Sequence, residues 1–141
     1  MDWLNYDKGP LARNAPKQYK SDGAQLLIVL IGKLWQGESV RFACHCFVEV
    51  QLQTWEYGIV AVTDENLLIA HCNSKGESFR WMQYKSFGLT GLSTRWRAAG
   101  VRNSGEFYPV FSVGVAGSPD IGVSAKDGER VLALIHESNN F

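Results

Sequence analysis

Two short clusters hold most of the thiol and imidazole chemistry of this chain: Cys44, His45 and Cys46 in one, His71 and Cys72 in the other. Thiolate and imidazole are ligands that zinc prefers, so a tetrahedral metal site is one reading of them. A cysteine nucleophile beside a histidine base is another. Spacing speaks against both. On a strand, neighbouring side chains point to opposite faces, so Cys44 and Cys46 share a face while His45 takes the other, and His71 and Cys72 are separated in the same way. Structural zinc sites draw instead on cysteines with two to four residues between them on turns, whereas one residue separates Cys44 from Cys46. The competing reading makes Cys44 and Cys46 small core side chains, in keeping with the burial habits of free cysteine. No nucleophile elbow, phosphate loop, metalloprotease helix or paired-carboxylate motif stands elsewhere. No catalytic residue, metal ligand or cofactor is assigned.

A different chemistry is offered by Ser93 to Arg102, STRWRAAGVR, where Arg95, Trp96, Arg97 and Arg102 fall in what the pattern predicts to be a loop between strands. An aromatic ring flanked by guanidiniums suits an acidic protein surface, a lipid headgroup or a stacked base. These four residues are the candidate partner-binding site. The plainer alternative has the arginines solvated at a strand end and Trp96 packed on the domain.

The elements that must position these residues follow from periodicity. Residues 1–21 carry Gly9, Pro10 and Pro16 without sustained period and read as an arm, although Trp3, Leu4 and Tyr6 predict that its beginning docks on this domain or on a partner. Asp22 as N-cap opens a helix over 22–36 that stops at Gly37, and its run of Leu26 to Ile31 needs cover on more than one side. That cover is either an open end of the domain or a second copy of the chain.

Strands are predicted between about 39 and 124. Val40, Phe42, Cys44, Cys46, Val48 and Val50 alternate along the first; Tyr57 to Thr63 and Leu67 to Cys72 pair through Asp64, Glu65 and Asn66; Ser78 to Tyr84, Phe87 to Ser93, Tyr108 to Val115 and Ile121 to Ser124 follow. Pro109 predicts a strand start or edge, since proline cannot donate to a ladder. A last helix over about 127–138, with Asp127 as N-cap, places Val131, Leu134 and Ile135 on one face.

Composition bounds the function. The 141 residues fit a single domain, here 22–141 behind the arm, large enough to fold without a disulfide or metal. Lys and Arg together number 14, as do Asp and Glu, so no global field favours nucleic acid or a strongly anionic surface. Three cysteines, an odd number, and no apolar leader in MDWLNYDKGPLARNAPKQYK lead to the expectation of a reducing cytoplasm. The longest apolar run is too short to span a bilayer, so a transmembrane protein is not expected.

The order Gly37 and Glu38, then Gly58, Val60, Val62, Thr63 and Asp64, then Trp81, Tyr84, Leu89 and Leu92, and finally Val131, Leu134 and Ile135 resembles the pleckstrin-homology-like superfold, and within it the GRAM and bacterial PH-like domains. The resemblance covers about Leu34 to Glu137. It implies a mostly β fold, a split β-barrel of about seven strands capped by the C-terminal helix, with the apolar N-terminal helix as an addition. Members that bind phosphoinositides carry several basic residues on the first two strands and the loop between them. Here Arg41 is followed by no basic residue until Lys75, so that phosphate site is not expected.

The function that follows is a non-catalytic PH-like adaptor. It would bind a protein, or itself, through a strand edge, the Arg95–Arg97 segment or the N-terminal arm. Peripheral binding of anionic lipid through the 95–102 segment is the alternative, and a Cys/His metal protein or enzyme is a third.

Overall fold

The chain is described here by a computed structural model covering residues 3, 9–11, 19–34, 38–51, 54–73, 75–85, 93–98, 107–112, 119–123 and 125–139, with 93–98 and 107–112 described by their backbone. Helix α1 (Lys20–Lys33) is followed by β1 (Val40–Gln51), β2 (Thr54–Thr63), β3 (Asn66–Cys72), β4 (Arg80–Lys85), β5 (Ser93–Ala98), β6 (Phe107–Ser112), β7 (Ile121–Gly122) and helix α2 (Ala125–Asn139). The strands form one antiparallel sheet in the order β4-β3-β2-β1-β7-β6-β5.

This sheet is open, which overturns the expected barrel. Among the described residues its two ends, β4 and β5, do not pair with each other, and the sheet has two covered faces in place of one enclosed interior. One face carries Cys44, Cys46, Val48, Val60, Val62, Leu67 and Ile69 against Val131, Leu134 and Ile135 of α2. The opposite face carries Ala43, Tyr57, Ile59, Ala61, Leu68 and Ala70 against Leu26, Leu27 and Leu30 of α1. The physical reason lies in α1. Its apolar side needs a surface as large as itself, and the second face of β2 and β3 supplies it, so α1 covers a sheet face and not the end of a barrel. β3 is buried at every residue, as a strand covered on both sides must be.

The helix boundaries differ from the reading of caps. α1 begins at Lys20 behind Tyr19, and Asp22 lies within its first turn, where its charge complements the helix dipole as Lys33 does in the last turn. The chain leaves at Leu34 in an extended conformation; 35–37 lie outside the described residues. α2 likewise begins at Ala125, with Asp127 in its first turn.

Strand β1 departs from strict alternation at its start. A register shift between Val40 and Phe42 sends Val40 to the α1 face while Phe42 packs toward the α2 face. A bulge reverses side-chain parity in this way, so the six residues expected on one face are divided.

The β2–β3 hairpin turns through Asp64 and Glu65, held by a compact network. Thr63 Oγ1 accepts the backbone N–H groups of Asn66 (3.0 Å) and Glu65 (3.3 Å) and donates to the Glu38 carboxylate (2.6 Å). Asn66 Nδ2 donates to the same Glu38 oxygen at 2.6 Å, and Gln83 Nε2 donates to Asn66 Oδ1 at 3.0 Å. Thr63 and Asn66 are buried, so these bonds replace the water the two side chains lose.

The expected strand over 87–92 lies outside the described residues, and Ser93 opens β5. Pro109 is the third residue of β6, opposite Trp96; β7 pairs only with Val110 and Phe111, so proline falls where β6 has run past its short neighbour.

Candidate functional site

The Arg95, Trp96 and Arg97 backbone does not form a loop. It runs through β5, paired with Val110, Pro109 and Tyr108 of β6. Their side chains and Arg102 lie outside the described residues. The expectation of a loop failed because alternation in STRWRA suits an arginine-rich strand as well as a turn.

A concave site is found instead along the outer edge of β1. β7 pairs only with Phe47 and Val48, so among the described residues β1 from Val40 to Cys46 runs on without a strand at that side. The start of α2 and the N-terminal residues flank this edge. Between them lies a groove of about 530 Å³, with Trp3 and Phe42 as its aromatic wall. The two rings meet edge to face, with centroids 5.1 Å apart and an interplanar angle of 73°. The N-terminal aromatic thus docks on its own domain.

The opposite wall is one face of α2. Lys126, Glu129, Arg130 and Ala133 recur at helical spacing, and Asp127 stands beside them at the mouth. This face turns away from the Val131, Leu134 and Ile135 side, which is committed to the core. The rim therefore carries both signs of charge above an apolar floor.

At its inner end the groove meets a recess of about 80 Å³ reached by Pro10, Leu11, Cys44 and His45. His45 is held by both ring nitrogens. Nε2 lies 2.9 Å from the Leu11 carbonyl, which can only accept, so Nε2 carries the proton and Nδ1 accepts the Tyr57 hydroxyl at 2.5 Å. Burial pushes the His45 pKa below 6.5, against the opposing pull of the Leu11 carbonyl and the Asp127 charge. Tyr57 in turn stacks on Tyr19, with centroids 4.2 Å apart and rings within 4° of parallel.

The thiols are equally committed. Burial, then the neighbouring Cys46 and Asp127, push the Cys44 pKa well above its ordinary value, and burial does the same to Cys46. Both sit in the core beneath α2. Neither thiol is poised as a thiolate nucleophile, since burial disfavours the charged form.

A second histidine is buried elsewhere. His71 Nδ1 lies 2.7 Å from the Glu56 carboxylate, on the α2 face at the far end of β3. Across the ladder from His71 is Gly58, and across from Gly58 is Cys46. The pair satisfies two polar groups that burial would otherwise leave costly. Among the described residues no three His, Cys, Asp or Glu side chains gather as a metal-binding group, and no helix is long and apolar enough to cross a membrane.

Sequence reasoning left open whether the Trp3, Leu4 and Tyr6 end docks on this domain or on a partner; Trp3 packs on Phe42, Leu4 and Tyr6 lie outside the described residues, and the groove was missed. The available signal was the repeat of Lys126, Glu129, Arg130 and Ala133 on the outer side of the last helix. A comparison of the chain with protein-family models, curated proteins and solved structures gave no match.

Proposed function

We propose that the chain is a non-catalytic binding module that holds an apolar side chain of a protein partner in the groove between Trp3, Phe42 and α2. The observation that carries this reading is the groove itself. Its size falls within the usual range for ligand sites, and it joins aromatic surface to a few polar groups. Two adjacent groups that could do chemistry are held in inert states: His45 neutral with both nitrogens engaged, Cys44 as a buried thiol. A rim of two cations and two acids creates little net field, so affinity rests on the apolar anchor and not on charge. The three free cysteines suit a reducing compartment such as the cytoplasm.

The test is selection of peptides from a displayed random library on the immobilised chain, followed by affinity measurements with Ala133→Trp. Ala133 is exposed, so the variant folds while its indole fills the groove. Selected peptides sharing an aromatic or aliphatic anchor, and losing at least about tenfold in affinity to the variant, support the reading. Selected peptides that bind Ala133→Trp as well as the parent chain place the site elsewhere.

A further inference from the structure

The groove beside α2 runs along a strand edge whose main-chain groups are open. In an antiparallel ladder, successive residues direct their N–H and C=O groups to alternate sides. The Glu49 N–H donates to the Asp120 carbonyl at 3.0 Å and Phe47 pairs with Gly122, so the odd-numbered residues of β1 face the β7 side. His45 and Ala43 continue that row. Carried on in the same register, β7 would place residue 126 opposite Ala43, but Lys126 already belongs to α2. The turn into the helix thus leaves the His45 and Ala43 positions of the ladder unfilled. Among the described residues no backbone hydrogen bond reaches them from that side.

These groups do not lie on a bare surface. Ala43 is only 3% exposed, and the recess of about 80 Å³ that it lines with Cys44 and His45 is closed on its other side by Pro10 and Leu11. Buried main-chain donors and acceptors require partners, and a chain segment can supply them in ladder geometry. The way in is the groove of about 530 Å³, which shares Trp3, Phe42 and Asp127 with the recess.

We infer that the occupant of the groove is a short extended segment of a partner protein, laid antiparallel to β1 in the line of β7 and bonded to the main chain of Ala43 and His45. This rests on the groove reading given above and adds to it the mode of recognition. Side-chain parity then sets a pattern in the segment. Its residues opposite Phe42 and Cys44 lie on the α2 face with them, so they point into the groove and its inner end and are bulky and apolar. The residue between them, opposite Ala43, turns to the other face, where Pro10 and Leu11 close in, and must be Gly or Ala. Two copies of the chain joined along this edge would drive the α2 and N-terminal residues of each against the other. A single segment is the occupant that fits.

The probe is a peptide selected on the immobilised chain from the random library and weakened by Ala133→Trp. Copies methylated at one backbone nitrogen each are compared by fluorescence anisotropy, and amide hydrogen exchange is followed at Ala43 and His45. Methylation of the small residue, whose N–H faces β1, is expected to weaken binding at least about tenfold; methylation of either anchor, whose N–H faces away, changes it little. Valine in place of the small residue is expected to lose at least about tenfold as well, and the Ala43 and His45 amides to exchange at least about tenfold more slowly in the complex. Affinity indifferent to every methylation, or unchanged exchange at Ala43 and His45 in a complex that Ala133→Trp still weakens, would overturn the inference and leave the groove reading standing. If no selected peptide is weakened by Ala133→Trp, the groove reading fails and the inference fails with it.

Discussion

Gly58 stands opposite Cys46 in the β1–β2 ladder so closely that a methyl group on it would lie 3.1 Å from the Cys46 sulfur and 2.5 Å from the Ala70 carbonyl oxygen. The second contact is to backbone of the next strand and cannot be relieved by a side-chain rotation. Gly58→Ala is therefore expected to destabilise the chain by about 3 kcal/mol, at the upper end of overpacking costs. Urea denaturation decides it; a variant within about 0.5 kcal/mol of the parent would mean that β2 and β3 separate easily.

His45 sets the response to acid. Its folded pKa lies below 6.5, so the unfolded chain binds the proton more readily than the folded one. The stabilisation is complete above about pH 6.5 and is lost as pH falls from there through the depressed native value. A protonated Nδ1 could no longer accept from Tyr57. His45→Gln is expected to show a shallower fall in urea midpoint between about pH 7 and about pH 5 than the parent chain. Parallel pH profiles for the two proteins would exclude His45 as the source.

The thiols give a test that needs no mutation. Cys44, Cys46 and Cys72 are free and buried, and Cys72 is pushed up to about 11, chiefly by burial. All three should resist an aromatic disulfide reagent in buffer and react together in urea. Since burial raises these pKa values, stability should also decline as pH rises past about 9, where unfolded thiols ionise first. Prompt reaction of one thiol in the native protein would show that its cover opens on its own.

Helix α2 supplies one wall of the groove and the lid of one core. Leu134 is 1% exposed and packs with Val131 and Ile135 on the sheet. Leu134→Asp would place an unpaired charge there, and a loss of at least about 3 kcal/mol is expected. Retention of parental stability in urea would detach α2 from the core.

Sequence pattern made some of this legible. The Val131, Leu134 and Ile135 face and the hairpin through Asp64 and Glu65 follow from local spacing and turn chemistry, whereas the surface on which Trp3 packs does not. The open sheet did not, although the signal was present: NLLIAHC is nearly continuous in apolar residues, the mark of a strand covered on both faces, and the apolar run of α1 called for a partner of its own size. The bulge after Val40 leaves no trace in residue type. The groove could not be read because it joins residues 3, 42 and 126–133, whose meeting depends on the completed topology. β4 was legible as a strand, but its position at the end of the sheet was not.

The pairing of β1 with β7 also governs how the chain is made. During synthesis β1 to β4 can assemble as a run of neighbouring hairpins, whereas Phe47 must wait for Gly122 and the core beneath α2 stays uncovered until Ile135 has left the ribosome. Until then the nascent sheet exposes a long edge and an apolar face at once, the combination that recruits chaperones or drives aggregation. A product interrupted before residue 121 would remain in that state, so quality control of this fold turns on β7 and α2.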